Sequence, residues 1–193
     1  MYLFGGDIPE SVYDNLIETV HAHLPALHRY MALRKKLLGV EQLHMYDLFA
    51  PIVDNVQTTY TYDEAKKLVA KALEPMGDEY VSTLKSGMES GWIDVEEIEN
   101  KRSGAYSWGA YGTHPYVLLN YADNLDSVFT LAHEMGHAMH TYYSNEHQSI
   151  TYAGYLIFVA EVASTCNESL LMHYMLEHCE DENERKYLMT HFL

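Results

Sequence analysis

Five consecutive residues, His133-Glu134-Met135-Gly136-His137, place two imidazoles four positions apart with a carboxylate beside the first. On a helix, positions i and i+4 lie one above the other on the same face. Two histidines so placed can together hold one Zn²⁺, each at about 2.0–2.1 Å. The adjacent glutamate can then reach a metal-bound water and act as general base. His133 and His137 are therefore read as metal ligands, one Zn²⁺ per chain, and Glu134 as the base rather than a ligand.

Catalytic zinc takes three protein ligands and keeps a fourth position open. Glu146, Glu161 and Glu168 follow the histidine pair, and helix geometry discriminates among them. Asp123-Asn124-Leu125-Asp126-Ser127 supplies N-caps, and Val128, Leu131, Ala132, Met135 and Met139 recur at helical spacing. This predicts a helix over about 127–143. Ser144-Asn145 and Gln148-Ser149 mark a turn, and a second helix over about 151–177 returns antiparallel. Groups that meet across such a pair lie at similar distances from the turn. The histidine pair lies ~13 Å before it, Glu161 ~15 Å after it and Glu168 ~25 Å after it, at 1.5 Å per residue, with Glu146 in the turn itself. Glu161 matches. It also stands in the most apolar run of the chain, Tyr155 to Ala163, where an unpaired charge is costly. The alternative is a buried glutamate bonded to a histidine or a tyrosine hydroxyl.

The stretch His133 to His140, followed by Phe158-Val159-Ala160-Glu161-Val162-Ala163-Ser164, resembles the catalytic core of the thimet-oligopeptidase family of zinc peptidases. Pro115-Tyr116-Val117-Leu118-Leu119-Asn120-Tyr121 and Asn167-Glu168 are similar to the oligoendopeptidase F branch in particular. Tyr46-Asp47-Leu48 with Pro51, and Arg34-Lys35-Lys36, extend the similarity towards the start. The resemblance implies a zinc-dependent endopeptidase acting on oligopeptides. It implies a mainly α, zincin-like helical core with a small β-sheet beside the histidine helix. It also implies that His140, on the same side of that helix, is not a ligand, since a fourth protein ligand would close the site. Ligating histidines usually donate their other N–H, so His140, Ser164, Thr165 and Glu168 are candidates for groups surrounding or orienting the ligands.

The same resemblance implies a much larger helical body with a deep channel, in which a downstream tyrosine and histidine stabilise the tetrahedral intermediate. His191 is too near Glu161 to be that histidine. The residues from Glu184 onward follow a helix pattern with no stop signal. The expectation is a truncated form that packs against N- and C-terminal parts of a longer chain, with Tyr187, Leu188 and Phe192 exposed. A metal-binding fragment without catalysis of its own is the alternative.

Around the helix pair the chain divides into an N-terminal helical part (1–91), a small sheet (92–121), the metal-binding pair (127–177) and the start of a last helix (181–193). Pro9-Glu10 opens a helix to about 24, Pro25 breaks or kinks it, and a continuation stops at Gly39. Thr61 and Glu64 form a capping box, and a further helix follows Pro75 and ends near Gly91. Residues 92–95, 105–111 and 116–120 read as short strands. An extended peptide can add to an exposed sheet edge, and Gly104, Ala105, Tyr106, Ala110 and Tyr111 are the candidates for contacting it. A sheet that merely supports the histidine helix is the alternative.

With 193 residues, 48% of them hydrophobic, the chain can build one modest core. It has no apolar run of membrane-spanning length, and Met1 to Gly6 lacks the basic region of a signal peptide. Cys166 and Cys179 lie ~20 Å apart by helical rise and are not expected to bridge. Buried, reduced thiols fit a cytoplasmic location. The net charge of −16 argues against a nucleic-acid partner.

Overall fold

A computed structural model describes residues 8–53 and 59–191. The described elements are α1 (Glu10–Leu38), α2 (Tyr62–Ala72), α3 (Asp78–Glu89), β1 (Ile93–Asp94), β2 (Tyr106–Trp108), β3 (Tyr116–Leu118), α4 (Leu125–His147), α5 (Ile157–His178) and α6 (Glu182–His191). A short 3-10 helix, Met45–Phe49, follows α1. No described helix is long and apolar enough to cross a membrane.

The core forms around α4. Leu131, Ala132, Met135 and Met139 are buried against Ala65 and Val69 of α2, Leu84 of α3 and Leu171 and Met172 of α5. The Asn124 side chain caps α4 by accepting from the Ser127 amide at 2.8 Å. In α2 the expected capping box is formed: the Glu64 carboxylate accepts from the Thr61 amide at 2.9 Å, and the Thr61 hydroxyl accepts from the Glu64 amide at 3.4 Å. The sheet has the order β1-β3-β2, with β3 parallel to β1 and antiparallel to β2. The sheet and α5 both pack against α4.

Several expectations change. Helix α1 runs unbroken through Pro25. The proline removes one hydrogen bond to the His21 carbonyl, but this stretch is exposed and water can take up the freed group. Gly39 ends α1 as expected, in the left-handed region at φ 67°. Helix α4 continues to His147, and α5 starts only at Ile157. The connection is not a tight turn. It folds back along α4, with the Ser144 hydroxyl donating to the Ala153 carbonyl at 2.5 Å and the Thr141 and Tyr155 hydroxyls 2.6 Å apart. Glu161 therefore reaches the histidines from the first turns of α5, not from the middle of a longer helix.

Leu188 is 1% exposed and Tyr187 half-buried, because α6 folds onto α5 and the His191 ring sits 4.9 Å from that of Phe129. Their expected exposure is thus corrected; Phe192 lies outside the described residues, as do Met1 to Gly6. Both thiols are free, but Cys166 is exposed and Cys179 half-buried, so neither is a core thiol.

Candidate metal centre and cleft

Gly136 makes the site possible. A Cβ there would lie 2.6 Å from the Ser164 Cα and 2.8 Å from the Ala163 carbonyl oxygen. Only a residue without a side chain lets α5 approach this closely. The approach brings Glu161 opposite the two histidines. His133 Nε2 and His137 Nε2 are 3.1 Å apart, and each is 3.4 Å from Glu161 Oε2. Among the described residues these three form a group that could hold a metal ion. A tetrahedral shell with bonds of 2.0–2.1 Å has ligand–ligand edges of about 3.3–3.4 Å. The donor triangle therefore has the size and the nitrogen–nitrogen–oxygen chemistry of such a shell.

Surrounding groups aim these donors. The His133 Nδ1 meets Glu168 Oε1 at 2.5 Å, leaving Nε2 free to face the triangle. His137 bonds the Ala160 carbonyl, and burial lowers its pKa, which favours the neutral ring that a ligand requires. The hydrogen bonds of Ser164 and Thr165 go to Glu161 rather than to the imidazoles. The Ser164 hydroxyl bonds Glu161 Oε2 at 2.9 Å, and Thr165 bonds the Glu161 carbonyl. Of the two, Ser164 holds the Glu161 carboxylate, and the Thr165 bond goes to the backbone of α5 itself. His140 stays outside the triangle. Its ring stacks on Tyr155 with centroids 3.8 Å apart, and its Nδ1 is buried with no protein partner.

Glu161 is not the buried charge that the apolar run predicts. Its side chain is 52% exposed, and the run around it is split by the helix. Ala160 and Ser164 face inward, while Ile157, Phe158 and Val162 face solvent, Ile157 at 75% exposure. Glu161 is positioned by the helix crossing and by Ser164 rather than trapped by burial.

Glu134 points elsewhere. It is buried beside the triangle, and burial pushes its carboxyl pKa up. The His133 charge and a hydrogen bond from the Ser107 backbone oppose that shift. This hydrogen bond is explained by strand register. The Val117 and Leu119 amides of the β3 segment donate towards β1, to Trp92 and Asp94 at 2.8 Å each. Ser107, paired with Val117, therefore turns its own N–H and carbonyl to the free edge of β2.

From that edge a cleft of about 500 Å³ extends from His137 and Glu161. Residues after β2 follow α4 in the same direction: Gly109 lies against Thr141, the Ala110 carbonyl accepts from Asn145, and the Tyr111 hydroxyl donates to the Gln148 carbonyl. Of the residues expected to contact a peptide, Tyr111 lines this cleft. Gly104 and Ala105 border a separate hollow at the start of α4, where Asn120 donates to the Gly104 carbonyl at 2.8 Å. Tyr106 is exposed on β2, and Ala110 lies beyond it. Ser107, Trp108 and Tyr155 also line the cleft. The sequence does not reveal them, because nothing in local spacing marks which strand residues face α4. Asn167 carries part of the family resemblance, but local spacing does not reveal its role. Buried, it accepts from the Tyr80 hydroxyl at 3.0 Å and donates to the Ala132 carbonyl at 3.1 Å, tying α3, α4 and α5 together.

Fold and site together define a zincin-like helical unit, with a histidine pair on one helix and a glutamate supplied by the next. The chain belongs to peptidase family M3, whose family model matches residues 1–193. It is 53% identical over 191 residues to oligopeptidase PepF of Bacillus subtilis, covering 99% of this chain and 28% of that protein. It is 46% identical to the chromosomal oligoendopeptidase F of Lactococcus lactis, covering 99% of this chain and 32% of that one. Among solved structures, a putative peptidase from Chlamydophila abortus superimposes with a TM-score of 0.88 at 43% identity, over 98% of this chain and 32% of that chain. Oligoendopeptidase-F from Enterococcus faecium does so with a TM-score of 0.61 at 38% identity, over 96% and 25%. The chain thus spans about three tenths of the length of the curated relatives it matches.

Proposed function

We propose that this chain carries the metal centre and general base of a zinc-dependent endopeptidase that hydrolyses oligopeptides. The observation that carries the reading is the triangle of His133 Nε2, His137 Nε2 and Glu161 Oε2, with the Glu134 carboxylate beside it and outside it. A bound Zn²⁺ would polarise the peptide carbonyl and lower the pKa of its water towards ~7. Glu168 and the Ala160 carbonyl keep both imidazoles oriented for ligation. Glu134 takes the proton of the attacking water and returns it to the leaving amine. Its buried setting suits both steps, since a raised pKa brings it nearer to neutrality as an acid. The Ser107 carbonyl on the outer edge of β2 offers a main-chain acceptor to an extended peptide, a mode of binding that tolerates many sequences, while its N–H is held by Glu134.

The test has two parts. Protein purified without added metal should contain one zinc per chain, and Glu161→Ala should lose most of it. Zinc that survives Glu161→Ala unchanged would move the third ligand elsewhere. Glu134→Gln should keep its zinc while turnover of a fluorogenic oligopeptide falls by about 10²–10⁴. Full activity in that variant would remove Glu134 from the mechanism. A second reading, a metal-binding unit without turnover by itself, is favoured by the share of its relatives' length that the chain spans. Stoichiometric zinc with no turnover would select it.

A further inference from the structure

The first half of helix α1 is bare. Residues 11–23 are exposed throughout, and the one buried residue of the helix is Arg34, which donates to the Asp47 carbonyl at 2.8 Å. Yet apolar residues recur along α1 at alternating steps of four and three: Tyr13, Ile17, Val20, Leu24, Leu27 and Met31. This is the heptad spacing of a helix that packs lengthwise along another helix. Tyr13, Val20 and Leu27 are 56%, 52% and 47% exposed, and Leu24 and Met31 are half-buried. Pro25 falls outside the stripe, so its ring does not interrupt the seam. A helix gains most of its stability from packing an amphipathic face, and a continuous exposed apolar face marks an interaction surface.

Charge selects what covers it. The acidic side chains of α1, Glu10, Asp14 and Glu18, all lie in its first third. The basic ones, Arg29, Arg34, Lys35 and Lys36, all lie in its last third. A second α1 running antiparallel sets each acidic end along a basic end and also opposes the two helix dipoles. A parallel copy sets like charges side by side. The stripe has a matching symmetry. Its six members are spaced evenly about residue 22, so an antiparallel copy places Tyr13 against Met31, Ile17 against Leu27 and Val20 against Leu24.

We infer that α1 is a self-association surface whose partner is a second copy of this chain, paired antiparallel across a two-fold axis near residue 22. The contact is isologous, with the same stripe on both sides. From Tyr13 to Met31 the seam is ~27 Å long at 1.5 Å per residue. A single helix pair of this length is at the small end of specific interfaces, so the dimer dissociates with a Kd of about 10–100 µM. Well below that concentration the single chain is what unfolds. No member of the metal triangle lies on α1, so the inference is independent of the peptidase reading.

Sedimentation velocity from about 1 to 300 µM tests it. The chain should pass from monomer to dimer and no further, because an isologous contact closes on itself. Val20→Asp, at a position exposed enough to leave folding unharmed, should keep the chain monomeric over this range with its zinc content unchanged. Polarity is read by cross-linking, with Cys166 and Cys179 first replaced by serine. Tyr13→Cys and Met31→Cys chains oxidised together should give a mixed disulfide, and each alone should give little. A Tyr13→Cys chain that cross-links to itself would overturn the antiparallel assignment. A parent chain still monomeric at about 300 µM, or a dimer untouched by Val20→Asp, would overturn the inference as a whole.

Discussion

Two long helices of this molecule have opposite fates. Helix α1, of 29 residues, carries Val12, Leu16, Ile17 and Val20 at helical spacing, yet its only buried residue is Arg34. The guanidinium of Arg34 donates to the Asp47 carbonyl at 2.8 and 3.0 Å and to the Ala50 carbonyl. Helix α4, of 23 residues, buries Val128, Leu131, Ala132, Met135, Ala138 and Met139. Both sequences have apolar periodicity. What differs is the company: α4 is enclosed by α2, α3, α5 and the sheet, whereas the described residues put no second element over the apolar face of α1. Periodicity specifies which residues can be buried together, and the neighbours decide whether they are.

The contrast predicts where substitutions are felt. The largest effect on folding should come from Gly136→Ala. The added methyl meets backbone atoms of α5 that cannot rotate away, so the helices must separate. Overpacking of this kind costs about 3 kcal/mol, to be read from urea unfolding of the chain. The separation also draws Glu161 from the histidines, so zinc affinity should fall in the same variant. A stable, fully zinc-loaded Gly136→Ala chain would show that the crossing is not what positions the glutamate.

A smaller effect is expected one layer out. Glu168→Gln keeps the shape of the side chain but removes the charge that accepts from His133 Nδ1. Removing such a partner typically weakens metal binding by about 10–100-fold, measurable by competition with a chelator. Unfolding of the metal-free protein should change much less, which separates orientation of the imidazole from support of the fold. The smallest effect belongs to α1. Leu16→Ser, on an exposed face, should shift stability by no more than about 0.5 kcal/mol and leave zinc binding unchanged. A large loss there would mean that the face is covered in solution, and the contrast with α4 would disappear.

Much of this organisation is legible in the amino-acid sequence. The i,i+4 pair, the Asn124 cap, the box at Thr61 and Glu64 and the stop at Gly39 are local devices. Each depends on residues within one or two turns, so sequence spacing is enough to read them. Glu161 stands out in the sequence through a helix length and a turn position that the fold does not have, and through burial that is absent. It faces the histidines nonetheless, because residues 148–156 fold back along α4 and make up the missing length. The short strands are legible too, but not which edge of β2 is free, since that depends on pairing with β3.

The residues alone therefore determined the chemistry available: two imidazoles on one helical face, a carboxylate beside them, and another on the helix that follows. Tertiary structure alone decided how these groups meet. The bare backbone at Gly136 sets how closely α5 can approach, and Glu168 aims an imidazole that is distant in sequence. The same crossing turns part of an apolar run out to solvent, and Ile157 from that run lines the cleft. Local spacing fixes directions within one helix, but the distance between two helices is set by the atoms that touch where they cross.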